Sequence, residues 1–214
     1  MNAQPTVTLT GPTGDVVMPQ LGVGFWQVDD DITPGLVEES LKLGYRSIDT
    51  AKIYGNEGGV GRGLAASDVP REDIFLTTKV WNSDQGHDAT LKAFDASLEL
   101  LGTDYVDLYL IHWPVPSRDL YVDTWAAMRE LREQGRAKAI GVCNFNVDHL
   151  ERLHAEFGEY PSINQVEIHP YLTQQALRDF HAEHGIVTED WSPLAARLHL
   201  IAKRREDRLV FDLQ

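Results

Sequence analysis

Strand-like runs recur along this chain at intervals of about 22 to 33 residues, with helix-like segments filling the intervals, which is the rhythm of βα repeats in a parallel sheet. The runs end near Asp49, Lys79, His112, Val142, Glu167 and Trp191. The first helix is expected to open at Thr33-Pro34, with threonine as cap and proline in the first turn, and to bury Leu36, Val37 and Leu41 before Gly44. Further helices are expected over residues 58–66, 88–101, 119–134, 147–156 and 173–184. Ahead of these, residues 6–18 alternate apolar and polar about Gly11-Pro12-Thr13-Gly14 and read as a β-hairpin, and LGVGFWQV reads as a short strand. Periodicity alone allows a closed barrel or an open doubly wound sheet. No GxGxxG follows the first strand, which weakens the open-sheet dinucleotide-binding reading.

Several of these runs deliver an ionisable group at the C-terminal end, where loops of a parallel sheet line a cleft. Asp49 and Tyr54 follow the run ending in Ile48, Lys79 follows IFLTT, and His112 follows YVDLYLI. One such residue alone is ordinarily a capped or paired structural group. Four at successive strand ends point to a shared site. In such a site a lysine ammonium would favour the phenolate of a nearby tyrosine, and an aspartate would hold that lysine charged and oriented.

The 214 residues, 43% of them hydrophobic, suffice for one domain spanning 1–214. No run approaches the roughly 18 apolar residues of a membrane helix, and the N-terminus lacks the basic start and apolar core of a signal peptide, so a cytoplasmic monomer without membrane partners is expected. A net charge of −14 argues against nucleic acid as a partner. The single cysteine, Cys143, excludes an intrachain disulfide and a cysteine zinc cluster and fits a reducing compartment; no metal is expected.

The motifs GYRSIDTAKIYGNE (44–57), TTKVWN (77–82), LYLIHWP (108–114), IGVCNF (140–145), NQVEIHP (164–170) and WSPLA (191–195) together resemble the aldo-keto reductases, in particular the bacterial 2,5-diketo-gluconate reductase branch, over residues 17–195. That resemblance implies a (β/α)8 TIM barrel with an N-terminal hairpin. It also implies reduction of small aldehydes and ketones such as diketo acids and α-dicarbonyls, with hydride from NADPH. It makes Asp49, Tyr54, Lys79 and His112 the catalytic set, with Tyr54 the proton donor. It places Gly24, Phe25, Asp49, Cys143, Asn144, Gln165, Trp191, Ser192 and Leu194 around the cofactor, Trp191 stacking on the nicotinamide and the Asn144 and Gln165 amides pairing with its carboxamide. Trp26, Tyr54, Trp81, His112 and Trp113 would wall the substrate pocket. Cys143 stands where many members carry serine.

Residues 196–214 depart from the family pattern, which continues with an eighth strand and a last helix that grip the adenosine 2′-phosphate. NADP rather than NAD is therefore an expectation of the family alone. The catalytic half leaves two readings open: a working NADP-dependent reductase, or a truncated remnant acting at most as a binding scaffold. For the tail, Leu194 to Arg205 can form a helix and Arg208 to Leu213 a surrogate eighth strand beside the first, or the segment is disordered or packs in a dimer.

Overall fold

The computed structural model describes residues 4–193, 203–205 and 208–210. Strands β1 (Thr6–Leu9) and β2 (Val16–Pro19) form the expected antiparallel hairpin, Leu9 opposite Val16. Seven strands then build one sheet in chain order: β3 (Val23–Gly24), β4 (Ser47–Asp49), β5 (Phe75–Val80), β6 (Val106–Ile111), β7 (Ala137–Cys143), β8 (Ile163–Glu167) and β9 (Val187–Trp191). All neighbours are parallel. Helices α1 (Thr33–Lys42), α2 (Glu57–Ala66), α3 (His87–Leu101), α4 (Tyr121–Glu133), α5 (Val147–Phe157) and α6 (Gln175–His184) make the crossovers. This curled sheet of βα units, over a hairpin, is the (β/α)8 architecture through its seventh strand.

Strand alternation separates two cores. Ile48, Leu76, Val80, Tyr109, Ile111, Ile140, Val142 and Val166 pack outward against the helices. Phe75, Leu108, Leu110, Ala139, Cys143 and Ile163 point inward, where Leu9 and Met18 of the hairpin join them as an apolar floor. Polar inward positions above that floor are thus cut off from water on one side.

Three of the helices end directly on a left-handed glycine. Gly102, Gly158 and Gly185 close α3, α5 and α6 with φ of 65°, 71° and 70°. Helix α5 opens on a reciprocal cap, the Asn146 side chain receiving a first-turn amide while His149 Nδ1 accepts the Asn146 N–H at 3.1 Å. Helix α2 carries Gly59, Gly61 and Gly63, an unfavourable helix composition with a steric reason. A Cβ on Gly61 would meet the Leu100 carbonyl oxygen at 2.4 Å, and one on Gly63 would meet Val37 Cβ at 2.6 Å. The glycines let α2 wedge between α1 and α3 and so fix the turn that precedes it.

Three expectations need correction. Thr33 does not cap α1: it is the first helical residue, and its hydroxyl donates back to the Asp29 carbonyl at 2.8 Å because a turn already precedes the helix. Leu36 is 44% exposed, the buried positions of α1 being Thr33, Val37 and Leu41. In the tail, Lys203–Arg205 (β10) is a strand rather than the end of a helix, and Arg208–Val210 (β11) pairs with it antiparallel, Arg205 opposite Arg208, instead of lying beside β3. A two-residue connection closes with far less chain entropy lost than a crossover to a distant strand. The remainder of the proposed helix and strand, 194–202 and 211–213, lies outside the described residues.

Candidate active site

The C-terminal ends of adjacent strands bring the predicted set into one cleft. Asp49 is the last residue of β4, Lys79 lies one residue before the end of β5, and His112 directly follows β6. Tyr54 closes a 3-10 turn, Lys52–Tyr54, that ends on Gly55 at φ 70°. The turn is pinned by Asn56, which is buried. Its amide donates to the carbonyls of Phe25 at 2.8 Å and Val28 at 2.9 Å and its oxygen accepts from Thr50 at 2.7 Å. Asn56 therefore ties Tyr54 to the loop that carries Trp26. Sequence reasoning gave Asn56 no role, although an asparagine between a positive-φ glycine and a helix start is a turn signal.

Lys79 is fully buried and donates to Asp49 Oδ1 at 2.5 Å and to the Thr50 carbonyl at 3.0 Å. Its ammonium lies 5.2 Å from the centre of the Tyr54 ring. Burial alone would discharge it, but the Asp49 carboxylate outweighs that through its charge and hydrogen bond and holds it charged, above the ordinary lysine range. Around Tyr54 the balance runs the other way. Burial pushes the phenol up to about 12, with Lys79 the largest opposing influence and Asp49 adding to the rise. The sequence-based expectation had the sign of the lysine's effect but not the net direction, because burial dominates.

His112 stands edge-on to Tyr54, ring centres 5.6 Å apart, and to Trp81 at 5.1 Å. Burial, aided by the Lys79 charge, pushes its imidazole down to about 3, so it is neutral at ordinary pH. Trp26 tilts over Tyr54 at 5.0 Å and is 57% exposed, and Trp113 is 41% exposed. Trp26 and Trp81, in ring contact with Tyr54 and His112, thus form an aromatic rim that is open rather than folded into the core. Phe25 differs: its side chain is 1% exposed and packs in the outer core, so only its backbone, whose N–H donates to the Asp49 carbonyl at 2.9 Å, borders the cleft near Gly24.

On the opposite side β7, β8 and β9 supply amides and an indole. Asn144, at φ 61°, donates to the His112 carbonyl at 3.0 Å and accepts the Trp191 indole N–H at 3.1 Å. Gln165 donates to Asp49 Oδ2 at 3.0 Å, and the Cys143 thiol reaches the Gln165 oxygen at 3.6 Å. Burial holds that thiol protonated. Ser192 follows at φ 56°, and Leu194 lies outside the described residues. The arrangement fits a nicotinamide: two amides, Asn144 just past β7 and Gln165 within β8, beside an indole held in one orientation, with His112 Nδ1 buried and without a protein partner among the described residues. Among the described residues, no helix is long and apolar enough to cross a membrane, and no cluster of His, Cys, Asp or Glu could hold a metal ion.

The profile of the Aldo/keto reductase family matches residues 19–212. An aldo-keto reductase of Mycolicibacterium smegmatis is 58% identical over 177 residues, covering 83% of this chain and 64% of the relative. The methylglyoxal reductase DkgA of Escherichia coli K12 is 51% identical over 179 residues, covering 84% of this chain and 64% of the relative. This chain therefore spans about 64% of the length of the curated relatives it matches. Among solved structures, an aldo/keto reductase from Brucella melitensis superposes with TM-score 0.86 at 57% identity, covering 90% of this chain and 74% of the other. A mutant of Gox0644 in complex with NADPH superposes with TM-score 0.85 at 47% identity, covering 95% and 72%.

Proposed function

The chain belongs to the aldo/keto reductase family, and on that premise we propose that it reduces small aldehydes and ketones, α-dicarbonyls and diketo acids among them, using NADPH. The observation that carries this reading is the buried Asp49–Lys79 ion pair beneath Tyr54, facing a neutral His112. NADPH, when bound, supplies the hydride that no side chain can. Asn144, Gln165 and Trp191 would hold and orient its nicotinamide. The neutral His112 donates a hydrogen bond to the substrate carbonyl without bringing a charge of its own, and Trp26, Trp81 and Trp113 exclude water around it. Tyr54 then gives its phenolic proton to the alkoxide oxygen, a stronger base than phenolate. The phenolate left behind is stabilised by Lys79, whose charge Asp49 fixes in place, until solvent returns the proton.

The relatives support the substrate class: one is a methylglyoxal reductase, and a solved structure 38% identical to this chain is described as a putative 2,5-diketo-D-gluconic acid reductase B. We place the protein in the cytoplasm as a monomer. A free, buried Cys143 suits a reducing compartment, and a net charge of −14 disfavours self-association and nucleic acid alike. The test is NADPH consumption with methylglyoxal alongside quenching of NADPH fluorescence. Wild-type protein should do both, whereas Tyr54→Phe should quench normally and turn over at least about a hundredfold more slowly. A wild-type protein that leaves NADPH fluorescence untouched would instead show a scaffold, and near-normal turnover by Tyr54→Phe would remove Tyr54 from the proton step.

A further inference from the structure

One acid inside the barrel has no part in the chemistry above. Glu189 is the middle residue of β9, and alternation puts it on the inward face between Val187 and Trp191. Val187, below it, packs against the apolar floor, and Trp191, above it, reaches Asn144 at the cleft. Across the ladder Glu189 is in register with Gln165, whose amide donates to Asp49 Oδ2 at 3.0 Å. Glu189 as a residue is half-buried, but its Oε2 is sealed from solvent and has no hydrogen-bond partner among the described residues. An ionised carboxylate in that position is strongly disfavoured.

The charged and polar groups that act on Glu189 are Asp49 from β4, Lys79 from β5, Cys143 from β7 and Gln165 from β8, with Asp190 next to it on its own strand; Gln165 stands in register with it and links it to Asp49. Burial and then the Asp49 charge push its carboxyl up to about 7, against the Gln165 hydrogen bond and the Lys79 ammonium. Lys79 is paired with Asp49, and ionised Glu189 adds a second negative charge beside that pair.

We propose that Glu189 is a positioning residue for the proton donor: its ionisation state sets the charge around the Lys79–Asp49 pair and thereby how readily Tyr54 releases its proton to the product oxygen. Neutral Glu189 leaves the Lys79 charge free to favour phenolate. Ionised Glu189 adds a negative charge that opposes both phenolate and alkoxide. Reduction therefore weakens as pH rises through neutrality. The same displacement acts on stability. Because the folded protein holds a Glu189 proton that the unfolded chain gives up at ordinary carboxylate pH, stability falls as pH rises from that range to neutrality and levels off above it.

This inference rests on the reductase reading, and Glu189→Gln and Glu189→Leu test it. Without cofactor, wild-type protein should show a carboxylic-acid infrared band that titrates near neutrality and is missing in Glu189→Gln, together with a melting temperature that declines more between pH 5 and 8 than the variant's. With NADPH and methylglyoxal, kcat/KM of the wild type should fall on the order of tenfold across neutrality, the size of a single charge coupling through a partly screened interior. Both variants should flatten that limb. Wild-type turnover with a limb that survives in Glu189→Gln would overturn the proposal alone, as would a limb altered only by Glu189→Leu, which would mean packing rather than charge. Absence of any wild-type turnover would overturn the reductase reading, and this proposal with it.

Discussion

Replacing Lys79 by methionine removes the buried cation from a site built around it, and the structure allows the consequence to be sized. Lys79 is fully buried, and its ammonium bonds Asp49 at 2.5 Å and the Thr50 carbonyl at 3.0 Å. Methionine fills much of the same volume, so the loss is electrostatic rather than a cavity. It strands Asp49, whose side chain is only 17% exposed, with the Gln165 amide as its remaining side-chain partner. Removing one partner of a buried pair costs about 3–5 kcal/mol, because the other charge stays behind desolvated. For a domain of this size each kcal/mol lowers the melting temperature by about 2–4 °C, so Lys79→Met should melt about 6–20 °C below wild type. Neutralising the orphan should restore most of that: Asp49→Asn/Lys79→Met should lie above Lys79→Met itself, and the thermodynamic cycle should give a coupling of about 2 kcal/mol or more. Thermal and urea unfolding of the four proteins at neutral pH measure it. A coupling below about 0.5 kcal/mol would refute the claim that the two charges hold each other in place, and with it the account of how Tyr54 is tuned.

Cys143→Ser should keep cofactor affinity or tighten it a few-fold, because a hydroxyl is a better donor to the Gln165 oxygen than a thiol 3.6 Å away; a tenfold weaker NADPH quench would mean the thiol has another task. Gly61→Ala should destabilise by about 2 kcal/mol or more in chemical unfolding, since its Cβ would stand 2.4 Å from the Leu100 carbonyl oxygen and backbone must move, and a neutral result would show that α2 can shift away from α3. His181 is buried between Asn164 and Thr188, and burial pushes its imidazole down to about 4. The unfolded chain takes up that proton below about pH 6.5, so the stability His181 contributes is whole above that pH and drains away between it and about 4. His181→Gln should flatten this part of the acid-unfolding curve by on the order of 2 kcal/mol, and an unchanged curve would assign the acid sensitivity elsewhere.

The parts of this molecule that could be read from its residues are those where a long periodic run meets an ionisable end. The runs before Asp49, Lys79 and His112 each mark a strand and its delivered group at once, and the structure puts all three at one rim. Where the run is short, parity is lost. Strand β3 has two residues, too few to say which side Phe25 would take, and it turned into the core. Glu189 was overlooked for a related reason. Val187, Glu189 and Trp191 alternate visibly, but an acid on an inward face breaks the rule that buried positions are apolar, and only the neighbouring strands show that it sits beside Gln165. The tail was misread because a crossover to β3 and a local hairpin satisfy the same alternation, and chain entropy favours the nearer partner.

Tyr54 shows what a residue pattern omits even when every participant is identified. The cation that favours its phenolate was assigned from the order of the strands, yet the phenol ends near 12 because desolvation is a property of the packed cleft and of no single neighbour. A phenol that high keeps its proton throughout the neutral range, so the resting site is loaded as an acid and needs no proton uptake before donation. The lysine acts after the proton has left, when it stabilises the phenolate, and His112, neutral down to about pH 3, competes for no proton while it holds the carbonyl. Tyr54, Lys79 and His112 thus hold their protonation states across neutrality, and a pH dependence of reduction there can enter from a neighbouring group. Glu189, inward-facing and in register with the Gln165 that bonds Asp49, is placed to supply it.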